Sequence, residues 1–71
     1  MDNKRVGQRV RAFRKLKGYT QQELADLAEI SLAVLGAVER GNRRLEDQIL
    51  DKIANVLGIS MEELLNSGSR F

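Results

Sequence analysis

Apolar residues along this chain recur at the three- and four-residue spacing of an amphipathic helix, and no stretch alternates as a half-buried strand would. Val6, Val10, Phe13 and Leu16 form the first stripe, over about residues 4–17, and Gly18 stands where a left-handed cap would close it. Thr20 and Glu23 have the spacing of a capping box, with Tyr19 and Leu24 as its hydrophobic staple, so a second helix starts there and turns Leu24, Leu27 and Ala28 inward. Ser31 caps a third helix with Leu35 and Val38 on one side, closed by Gly41 and Asn42. Leu45, Ile49, Leu50, Ile53, Ala54 and Leu57 mark a fourth, ended by Gly58. Ser60 and Glu63 repeat the capping box, with Ile59 and Leu64 as staple, and open a short fifth helix ending near Asn66. The other glycines, Gly7, Gly36 and Gly68, read as further punctuation.

These signals predict an all-α fold, one domain over residues 1–71 with its core at about 5–66. The very short connection between the second and third helices suggests a helix-turn-helix. A chain of 71 residues leaves no room for a second domain. At this size one core supplies roughly 3 to 5 kcal/mol, and natural domains often add a staple. With no Cys and no His, disulfides and zinc held by thiolate or imidazole are excluded. No cofactor, metal or small-molecule ligand is expected. The longest uncharged runs, Ile30 to Val38 and Ile53 to Met61, are nine residues each, against about 20 for a membrane span. With no secretory pattern at the N-terminus, a cytoplasmic protein without a membrane partner is expected.

Charge is segregated. Residues 1–19 hold seven Lys or Arg against one Asp, and residues 40–44 add Arg40, Arg43 and Arg44, whereas residues 20–39 hold four acids and no base. If folding brings the two basic blocks onto one face, that face suits a polyanion; otherwise they are solvated helix surface. Catalysis finds no support, since the chain lacks a phosphate-cradling glycine loop or a nucleophile with a base.

The stretch QQELADLAEISLAVLGAVER, residues 21–40, resembles the helix-turn-helix of the Cro/C1-type (XRE) family of bacterial and phage regulators. The likeness extends through RAFRKLKGYTQQELA before it and IANVLGISMEELL after it, over roughly residues 5–65. It implies a compact five-helix lambda-repressor-like domain that binds duplex DNA with its third helix in the major groove, commonly as a homodimer. Arg14 and Glu39 match the family's structural ion pair between the first and third helices. Gln21, beside the cap Thr20, matches a position that contacts phosphate, and Asn42, Arg43 and Arg44 with Arg40 would flank the groove on the backbone. Arg9, Arg11 and Lys15 are weaker candidates for the same work. Met61, Leu65 and Phe71 are the apolar groups available for self-association.

Two departures from the family matter. Glu29 occupies a turn position where glycine is usual and φ is often positive. A 100° step per residue puts Leu32, Ala33, Gly36, Ala37 and Arg40 on the exposed, base-reading face of the third helix, where only Arg40 and, at the near end, Ser31 are polar. Leu32 and Ala33 could touch thymine methyls, and Gly36 with Ala37 would let the backbone approach DNA. An apolar face of this kind also fits a protein partner docking on the third helix, and that is the alternative function.

Overall fold

The computed structural model describes residues 3–65. Among them lie helices α1 (Asn3–Leu16), α2 (Gln21–Ala28), α3 (Leu32–Arg40), α4 (Asp47–Leu57) and α5 (Met61–Leu65). Asn66, Gly68 and Phe71, which the sequence reading uses for the end of the fifth helix, punctuation and self-association, fall outside the described residues.

The local caps form at the positions their spacing predicts. Thr20 Oγ1 accepts the Glu23 N–H at 3.1 Å while Glu23 Oε1 accepts the Thr20 N–H at 2.8 Å. Ser60 and Glu63 repeat the exchange at 3.0 and 2.9 Å, and Ser31 Oγ accepts the Val34 N–H at 3.0 Å. Each ring closes over three residues, so its formation depends on local dihedrals alone. The left-handed ends fall at Gly18, Gly41 and Gly58 and, as the departure from the family suggested, at Glu29 (φ 58°, ψ 42°).

Val6, Val10, Leu24, Ala25, Leu35, Val38, Leu50, Ile53, Ala54, Leu57 and Leu64 close into one buried cluster to which every helix contributes. Two residues expected to face inward face solvent instead: Leu16 is 77% exposed and Leu27 55% exposed. In α1 the buried positions are Val6, Gly7, Val10 and Arg14, so the stripe continues into Arg14 and leaves Leu16 on the far flank. In α2 the buried Leu24, Ala25 and Ala28 likewise turn Leu27 outward. Leu45 packs on the core from the connection before α4 rather than within that helix.

Gly7 and Gly36 are not punctuation; both sit inside helices. Gly7 is where α1 meets α3, backbone to backbone. A Cβ built there would lie 2.3 Å from the Val38 carbonyl oxygen and 2.7 Å from that of Glu39. No side chain can swing away to relieve that overlap, so the helices would have to separate.

Two substitutions test these backbone constraints. Gly7→Ala should lower the thermal midpoint by about 5 °C or more, the equivalent of about 1 kcal/mol of overpacking in a domain this small. A midpoint equal to the parent's would refute the contact. Glu29→Gly relieves a left-handed non-glycine residue, which costs about 1 kcal/mol, and should raise the midpoint by a few degrees. A fall would show that the turn has another shape in solution.

Candidate nucleic-acid interface

Helix α2 is held over the end of α3 by one carboxylate. Arg14, from the buried side of α1, donates from Nε to Glu39 Oε2 at 2.7 Å and from Nη2 to Oε1 at 3.1 Å. Its Nη1 donates to the Tyr19 carbonyl at 2.9 Å, tying the turn before α2 to the same group. Gln21, the first residue of α2, donates from Nε2 to Glu39 Oε1 at 2.9 Å. Arg14 and Glu39 are each 8% exposed, and no buried side-chain polar atom among the described residues lacks a partner. A buried pair satisfied in this way is costly to break by removing one member, because the other is left charged and unpaired.

Gln21 therefore does not reach outward freely. One N–H of its side-chain amide is committed to Glu39, and what remains for an anion is the second N–H together with the backbone N–H groups of the first turn of α2. The turn opens onto a cleft of about 530 Å³ lined by Arg11, Arg14, Thr20, Gln21, Glu39 and Arg40. Arg11 is exposed at this cleft, a position the charge count alone could not single out.

The outward face of α3 differs from the sequence expectation at two places. Ser31, Leu32, Ala33 and Arg40 are exposed, but Ala37 is half-buried and Gly36 is buried. The cover over Gly36 is the Arg40 side chain: a Cβ at 36 would lie 3.0 Å from Arg40 Nη1. The Ser31 hydroxyl already accepts the Val34 N–H.

Beyond α3, Asn42 and Arg44 are exposed. Arg43 is half-buried, pairs with Glu46 at 3.1 Å, and accepts the Asn3 side-chain N–H on its carbonyl at 3.2 Å. The loop is thus tethered to the start of α1. Arg9 has a structural task instead: it donates to the Glu63 and Leu64 carbonyls at the end of α5 and lies over the Phe13 ring at 5.4 Å. Cations suit that end of a helix, where carbonyls are unpaired. Among the described residues no helix is long and apolar enough to cross a membrane, and no group of three metal-ligating side chains gathers.

Comparison with known proteins gives a consistent picture. A family model for the helix-turn-helix matches residues 10–64. The chain is 53% identical over 58 residues to the uncharacterized HTH-type transcriptional regulator YazB of Bacillus subtilis, covering 82% of this chain and 84% of YazB. It is 37% identical to the regulator SinR of the same organism over 86% of this chain, and spans 56% of SinR's length. Among solved structures, the restriction-modification controller protein C.AhdI from Aeromonas hydrophila superposes with a TM-score of 0.87 at 38% identity, covering 90% of this chain and 97% of that one. SinR in complex with DNA superposes with a TM-score of 0.81 at 38% identity, over 84% of this chain and 97% of that one. These proteins carry the names of regulators and controllers, not of enzymes.

The Glu39 network makes a direct prediction. Arg14→Ala and Glu39→Ala should each cost about 3 to 5 kcal/mol, lowering the thermal midpoint by roughly 10 °C or more. Midpoints within a degree of the parent for both variants would remove the pair from any account of this fold.

Proposed function

The chain belongs to the Cro/C1-type (XRE) helix-turn-helix family of DNA-binding transcriptional regulators, and from that premise we propose how its surface divides the work of binding duplex DNA. Helix α3 enters the major groove with Ser31, Leu32, Ala33, Gly36, Ala37 and Arg40 toward the bases. The α2 start, at Thr20 and Gln21, contacts the phosphate backbone on one side, and Asn42, Arg43 and Arg44 contact it on the other.

One observation carries the assignment. Arg40 belongs both to the outward face of α3 and to the cleft that ends at Thr20 and Gln21, so the base-facing surface and the α2 N-terminus form one continuous front. The first turn of a helix presents unpaired N–H groups and a favourable dipole to an anion, and Arg11 and Arg40 add charge beside it. The SinR–DNA complex, on a closely similar chain, supports DNA over a docked protein as the occupant of this front. A role on the chromosome implies a cytoplasmic protein. We infer that two copies bind half-sites about 34 Å apart. Their contact would be the groove between α4 and α5, lined by Asp47, Gln48, Asp51, Met61 and Leu65.

Titration of labelled duplexes between about 50 and 200 mM salt tests this reading. Each phosphate neutralised contributes about −0.9 to the slope of log affinity against log salt, and three to five contacts per copy should give a slope of about −3 to −5 for one bound copy and about −5 to −9 for the pair. Arg44→Ala should weaken every duplex alike. Arg43→Ala should do so less, because its guanidinium also faces Glu46. A salt-insensitive complex, or no binding at low salt, would reject the interface.

A further inference from the structure

We propose that Arg40 reads a guanine and that Gly36 is the residue that positions it to do so. The inference rests on the DNA-binding reading above and adds to it the base class recognised and the device that sets it.

Side chains on a helix lean toward its N-terminus, so a residue covers the surface about one turn before its own Cα. Arg40 is the last residue of α3, and four residues earlier stands Gly36, with no side chain to obstruct it. The guanidinium lies in that gap, at 3.0 Å from where a Cβ would be, and its burial of Gly36 places the charge over the middle of α3 instead of beyond its end. The group makes no ion pair or hydrogen bond among the described residues, so its donors are unspent. Little else on this face competes: Leu32 and Ala33 are apolar, Ala37 is small and half-buried, and the Ser31 hydroxyl, which accepts the Val34 N–H, keeps only a single O–H donor.

A planar fork of N–H donors matches the paired acceptors N7 and O6 that guanine presents in the major groove, and no other base offers two acceptors there. The predicted preference is therefore for one G·C pair per half-site, on a front that otherwise tolerates many sequences. Gly36→Ala is the informative change. Its backbone is ordinary helix, so alanine is accepted, and the atom it meets is the far end of a flexible side chain that can move aside. The fold stays while the guanidinium loses its seat.

Selection of the full chain from random duplexes, followed by affinity ratios on the enriched site, tests the proposal. The expected site carries an invariant guanine in each half, and replacing that base pair costs the parent about tenfold to a hundredfold in affinity. In Gly36→Ala, and in Arg40→Lys, which keeps the charge but not the fork, the ratio should fall below about threefold. The ratio compares two duplexes on one preparation, so a partial loss of folded protein does not move it. An enriched site without a fixed guanine, or a ratio that Arg40→Lys leaves intact, overturns the inference while DNA binding stands. Arg40→Ala weakening all duplexes equally overturns it too, assigning the guanidinium to a phosphate at the Thr20 cleft. If the parent binds no duplex at low salt, the underlying reading fails first, and the guanine assignment with it.

Discussion

A single buried carboxylate, that of Glu39, accepts hydrogen bonds from Arg14 on α1 and Gln21 on α2 while standing on α3 itself. Taking charges out of water costs several kcal/mol per ion, and the cost is offset only when the geometry is good and the remaining donors are satisfied. Here Arg14 places its third nitrogen on the Tyr19 carbonyl, so no buried polar atom of the network is orphaned. The arrangement is directional in a way that apolar packing is not. It fixes where α2 begins relative to where α3 ends, and those two points are the edges of the front proposed to face DNA.

Helices α1 and α3 are fastened a second time at Gly7, where the α1 backbone rests on the Val38 and Glu39 carbonyls. The two attachments lie seven residues apart on one face of α1, about two turns, so they resist rotation as well as separation. Close approach at Gly7 thus positions the side chain of Arg14, and the ionic contact depends on a residue with no side chain at all.

This economy also sorts the basic residues. Arg9 is used to cap α5, Arg14 is buried against Glu39, and Arg43 faces Glu46. Arg11, Arg40 and Arg44 remain outward, around the cleft and loop at the ends of the front. On the interface proposed above, a polyanion held by few cations and by the dipole of α2 would be gripped through its backbone, which is the same in every duplex. Base discrimination must then come from whatever α3 presents, and α3 presents little except the guanidinium of Arg40.

The sequence by itself determined the caps whose hydrogen-bonded ring closes within a few residues, namely the capping boxes at Thr20 and Ser60, the Ser31 cap and the left-handed ends at Gly18, Gly41 and Gly58, together with the helical stripe of α4 from Ile49 on. Such rings depend on neighbouring dihedrals and residue types, and both are written locally. Family resemblance carried the long-range pair of Arg14 and Glu39, which spacing could not. Only the tertiary structure decided that Leu16 and Leu27 face water and that Gly7 marks a helix crossing. It also decided that Arg9 caps a helix more than fifty residues away, that Gln21 turns back to Glu39, and that Arg40 folds over Gly36. An apolar stripe fixes a helix face only to within a residue or so, and a long polar side chain has several rotamers of similar energy. Which face is covered, and which rotamer finds a partner, is settled by the helices that pack against it.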